Sequence, residues 1–82
     1  MVVNLNNIDD VKSFIRCTSK IDSDVIVSSG RYTVDGKSLL GLLSLNLANG
    51  VNVDVNDRGD DEHRLKRLLR DYNIKYALIR LL

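Results

Sequence analysis

Val51-Asn52-Val53-Asp54-Val55-Asn56 alternates three valines with three polar residues and is the clearest strand in the chain. Successive side chains of a strand point to opposite faces, so this hexapeptide sets one apolar face against a core and one polar face in water. That is the pattern of an antiparallel sheet covered on a single side. The fold then depends on what the neighbouring segments can lay over the valines.

Immediately upstream, Asn49-Gly50 is a strong turn signal. Before it lies Lys37-Ser38-Leu39-Leu40-Gly41-Leu42-Leu43-Ser44-Leu45, which reads as a short, almost wholly apolar helix with a serine at its start. A helix needs an apolar stripe only about 100° wide to cover a core. Leu39, Leu40, Leu42, Leu43 and Leu45 therefore cannot all point inward, and the surplus meets either a docking partner or the C-terminal segment. Further back, Asp24-Val25-Ile26-Val27-Ser28 and Arg31-Tyr32-Thr33-Val34, joined through Ser29-Gly30, predict a hairpin that ends at Asp35-Gly36-Lys37. From Ile8 to Lys20 the apolar residues Ile8, Val11, Phe14, Ile15 and Thr18 or Ile21 recur at helical spacing, with Asn7 as N-cap and Asp9 and Asp10 in the first turn, where the helix dipole favours carboxylates. Val2 to Asn6 reads as a short first strand with Val3 and Leu5 on one face.

Downstream of the valine strand, Asp57-Arg58-Gly59-Asp60 is a loop, and Asp61 to Tyr72 reads as a helix with Leu65, Leu68, Leu69 and Tyr72 on one face. Residues 73–82 form an apolar tail whose periodicity fits a strand or a continued helix equally well. The order is β-α-β-β-α-β-α plus tail. It predicts one α+β domain over residues 1–82, an open-faced sandwich in which three helices cover one face of a four-stranded antiparallel sheet.

A chain of 82 residues has room for one domain, and its twelve basic and eleven acidic side chains leave a net charge of +1. That balance supplies no overall pull toward nucleic acid or an anionic membrane, so nucleic acid is not an expected partner. The single cysteine, Cys17, excludes an internal disulfide and suits a reducing compartment. No stretch approaches the roughly 18 apolar residues of a membrane span, and Met1-Val2-Val3-Asn4 lacks the basic and apolar regions of a signal peptide, so a cytoplasmic location is expected.

Two segments carry a resemblance. Val11 to Val25 is similar to the first helix and second strand of the HPr family, the small phosphocarrier proteins of the bacterial phosphoenolpyruvate:sugar phosphotransferase system. Asp35 to Leu45 is similar to that family's second helix, and the correspondence runs without gaps from about Asn7 to Val55. The resemblance implies the open-faced sandwich already expected and places Asn7 where the family carries the histidine that accepts phosphate from enzyme I. Asn7 cannot replace imidazole, because its amide lone pair is delocalised into the carbonyl. The family's nearby arginine is matched by a carboxylate, since Ile8-Asp9-Asp10 follow. Two charges about 5 Å apart repel by roughly 1 kcal/mol in water and by more near a protein surface. A phosphate beside Asp9 and Asp10 is therefore disfavoured, and no catalytic residue remains.

The same resemblance places Ser38 at the serine that an ATP-dependent kinase modifies in some HPr proteins, although an N-cap serine needs no such role. It makes Leu39, Leu40 and Leu43 a partner-docking surface. If the tail does not fold back over them, a second copy of the chain, forming a homodimer, is the next candidate to cover them. His63, the only histidine, has Arg67 at i+4 and no second metal ligand, and reads as an exposed helix residue; no metal site and no cofactor are expected. Cys17 reads as a packing residue. The expected function is a regulatory or binding protein rather than an enzyme, with a phosphotransferase-system enzyme, an HPr kinase/phosphorylase or a transcriptional regulator as partner. An active phosphocarrier using some other residue, and a docking module without phosphorylation, are the alternatives.

Overall fold

The computed structural model describes residues 1–56 and 59–78, and contains strands β1 (Val2–Val3), β2 (Asp24–Ser29), β3 (Tyr32–Asp35), β4 (Val51–Asn56) and β5 (Tyr76–Ala77) with helices α1 (Ile8–Thr18), α2 (Leu39–Leu43) and α3 (Asp61–Asp71). Asp57 and Arg58 of the expected loop and residues 79–82 of the expected tail lie outside the described residues. The strands form one antiparallel sheet in the order β3-β2-β4-β1-β5. The four expected strands are present, and the tail supplies a fifth. The first strand is shorter than Val2 to Asn6, although the backbone N–H of Asn4 still donates to Lys75 O at 3.0 Å and Leu5 remains buried.

Alternation along β4 works as the sequence implies. Val51 and Val53 are buried, while Asn52, Asp54 and Asn56 are exposed. The register sets Val27 opposite Val53 and Val25 opposite Val55, so the inward residues of the two central strands line up under the helices. Val11, Phe14 and Cys17 of α1, Leu42 of α2 and Leu65 and Leu69 of α3 complete one core. The other face of the sheet is open, and there Ile26 lies between Asp54 on one neighbouring strand and Asp35 on the other.

Local chemistry explains the joints. Gly30 has φ +61° at the first of the two turn residues between Ser29 and Tyr32, the pattern of a hairpin turn that glycine adopts without cost. The end of α3 is closed by Asn73 in the left-handed region, φ 58°, with Ile74 N–H donating to Leu69 O at 2.8 Å and Asn73 N–H to Arg70 O at 3.0 Å. This reversal satisfies the last carbonyls of the helix and drives Ile74 into the core. From there the chain runs back along β1 as β5, which settles the form of the tail through residue 77 as extended rather than helical.

Candidate functional site

Helix α1 begins at Asn7, whose backbone is extended and whose side-chain Oδ1 accepts from Asp10 N–H at 2.8 Å. Asp10 returns the favour one residue earlier: its carboxylate accepts from the backbone N–H of Asn6 at 2.9 Å. Two backbone donors at the helix entrance are thus taken up by two side chains of the same turn, as in a capping box. Asp9 stands beside them, exposed. Helix N-termini bind anions because free N–H groups and the dipole point at them. Here that field is answered from within the sequence by Asp9 and Asp10, and the side chain at its centre is an amide already committed as acceptor.

Beside this entrance is a groove of about 290 Å³ whose walls include Asn7, Ile8 and Val11 on one side and Leu43 and Leu47 on the other. Ile8 is 52% exposed, Leu43 43% and Leu40 81%, while Leu42 is fully buried and Leu45 nearly so. The leucine segment therefore divides cleanly: Leu42 and Leu45 hold the helix to the core, and Leu39, Leu40 and Leu43 face outward. Sequence periodicity assigns Ile8 to the inner face of α1, but at the first helical position it overhangs the core and joins the outer apolar surface instead. The described part of the tail runs along β1 at the sheet edge, paired residue for residue with Val2 and Val3.

Ser38 is the N-cap of α2, with its Oγ accepting from Gly41 N–H at 3.1 Å. No acid occupies the first turn of this helix. Gly41 sits in close quarters, since a Cβ there would stand 3.1 Å from Val34 Cβ and 3.2 Å from Ser38 Oγ. Lys37 does not extend toward Ser38 as a free cation; its Nζ donates to Ile21 O at 2.8 Å and ties the loop before α2 to the end of α1. Thr18 strengthens the same junction, donating from a fully buried Oγ1 to Gly36 O at 2.9 Å.

The remaining candidates fall elsewhere. His63 is exposed on α3, whose start is fixed to the far end of α1: Asp61 accepts from Ser23 N–H at 2.9 Å and Ser23 Oγ at 2.6 Å, and Arg64 donates to Lys20 O at 3.3 Å. An eleven-residue helix is about 16 Å long. His63 is thus at the opposite end of α1 from Asn7 and cannot serve that site. The Ser23 bonds, helped by Arg64, hold the Asp61 carboxyl below its ordinary pKa. Burial pushes the Cys17 thiol up to about 11, which leaves it a neutral packing group. Among the described residues no three His, Cys, Asp or Glu side chains stand together to hold a metal, and no helix is long and apolar enough to cross a membrane.

A family model described as the PTS HPr component phosphorylation site matches residues 11–72. The chain belongs to the HPr family. Its match takes in α2 with Ser38, the hairpin and α3, and begins after Asn7, Asp9 and Asp10. No solved structure matches the chain. As an HPr-like protein of the phosphotransferase system, it has that system's proteins in general as its expected partners.

Proposed function

We propose that this HPr-family protein is a regulatory or binding protein without histidine phosphocarrier activity, switched by phosphorylation of Ser38 and docking through Leu39, Leu40 and Leu43, to which Ile8 adds. The observation that carries this reading is the contrast between the two helix entrances. At α1 the residue that the family resemblance sets at the phospho-acceptor position is a capping amide, flanked by Asp9 and Asp10. At α2 the cap is a hydroxyl with no acid in the following turn. A phosphoryl group on Ser38 Oγ brings close to two negative charges to the edge of the exposed leucine surface. That changes which partner the surface accepts without touching the core residues Leu42 and Leu45.

The test is intact-mass spectrometry of the protein and of Ser38→Ala after incubation with an HPr kinase/phosphorylase and ATP. Gain of a single phosphate by the parent chain and not by the variant supports the switch. A phosphate on both chains places the modification elsewhere. No gain on either favours a second reading, a docking module without phosphorylation, which the structural employment of Ser38 Oγ as a cap already supports.

A further inference from the structure

Helix α3 sorts its charges by direction. The cations on its flanks are answered by acids of the preceding turn: Arg64 lies 3.2 Å from Asp61, and Lys66 4.0 Å from Glu62. Directly opposite the buried Leu65 and Leu69, at spacings of four and three residues, stand His63, Arg67 and Arg70, all exposed. No ion pair forms at any of these three among the described residues. They line, with Arg64 and Asp60, a polar depression of about 550 Å³.

Helix stability does not account for this row. The dipole favours cations in the last turn, which covers Arg70 but not Arg67 in the middle of the helix. Arg64 and Arg67, Arg67 and Arg70, and Lys66 and Arg70 are like-charged neighbours at i+3 or i+4, an arrangement that weakens a helix. Local choices that oppose the fold are expected where a surface has another use. The row also does not end with the helix. Arg70 Nη1 lies 3.4 Å from Tyr76 Oη, and Arg70, Ile74, Lys75 and Tyr76 share an adjoining groove of about 590 Å³, so an apolar floor follows directly on the cationic ridge.

We infer that this face of α3 binds an acidic amphipathic helix of a protein partner, with carboxylates at i, i+4 and i+7 meeting His63, Arg67 and Arg70 and an apolar residue entering the groove beside Ile74 and Tyr76. Repeats of equal period on the two helices bring the charges into step, and arginine forks pair with carboxylates in two-bond fashion. Nucleic acid fits less well, because the two arginines of the row release few counterions and the chain's net charge of +1 adds no wider attraction. The face is separate from the leucine surface of α2, and the inference stands whether or not Ser38 is phosphorylated.

The probe is a synthetic alanine-based helix of roughly 16 residues with Glu at the 4-3 spacing and a terminal Leu, alongside the same peptide with Gln for Glu and a thymidine oligonucleotide. Each is titrated into labelled full-length protein at low salt and followed by amide chemical shifts. The expected result is saturable shifts at residues 63–77 with the Glu peptide, weakened about tenfold or more in Arg67→Ala/Arg70→Ala. A circular dichroism spectrum of that variant matching the parent shows that the helix persists. Equal binding of the Gln peptide, stronger binding of the oligonucleotide, or no shift along α3 overturns the inference.

Discussion

Replacing Asn7 by Ala tests whether the residue at the helix entrance is a structural cap. The variant loses one bond, Asn7 Oδ1 accepting from Asp10 N–H at 2.8 Å, and leaves the Asn6 N–H to Asp10 bond in place. An N-cap acceptor contributes about 1 kcal/mol. Unfolding entropy near 2.1 cal/mol/K per residue gives about 170 cal/mol/K for this chain, so the midpoint should fall by about 6 °C. Asn7→Ser, which keeps a side-chain acceptor, should recover most of the loss, and Asn7→His should fall with Ala. Thermal unfolding by far-ultraviolet circular dichroism reads all three. An Ala variant within about 1 °C of the parent, or a Ser variant as unstable as Ala, would refute the capping role, since serine caps a helix about as well as asparagine and alanine does not.

Three further outcomes follow from the packing. Thr18→Val keeps the shape but leaves the buried Gly36 carbonyl without its 2.9 Å donor, and should cost about 1–3 kcal/mol in denaturant unfolding; a neutral variant would mean that water replaces the hydroxyl. Leu42→Ala should cost about 2–5 kcal/mol, whereas Leu40→Ala, at an outward position, should change stability by no more than about 0.5 kcal/mol, and equal effects would contradict the division of the leucines. Asp61 has a folded pKa below the 3.8 of the free side chain, so its stabilisation is complete above that value and is lost as pH falls through the lower folded value. The midpoint difference between the parent and Asp61→Asn should therefore be constant near neutrality and shrink below about pH 4; a difference independent of pH would show that the Ser23 contact acts only by shape.

The elements that buried one face were legible in the sequence. The valines of β4 and the Val11 and Phe14 spacing of α1 declare which side faces the core because polar residues separate them. Where that contrast is missing, pattern gives less. Residues 74–78 are largely apolar, and only pairing with Val2 and Val3, which lie more than seventy positions away in sequence, makes Tyr76–Ala77 a strand. Ile8 shows the reverse case, an apolar residue at the right spacing that begins its helix too early to reach the core. In the leucine segment the surplus was visible from residue type alone, but which leucines turn outward depends on the direction of α2 over Val34 and against α1. Of the candidate site, Asn7, Asp9, Asp10 and Ser38 were readable as caps and first-turn acids. The diversion of Lys37 to Ile21 O is a tertiary fact that no spacing encodes.

The measurement that bears most directly on the central claim is phosphate transfer from enzyme I and phosphoenolpyruvate, read by intact mass within minutes of mixing at neutral pH, with an active HPr protein as the positive control. Loss of the phosphocarrier step predicts full labelling of the control and an unchanged mass for this chain. An acid-labile gain of one phosphate on this chain at a rate near the control's would contradict it.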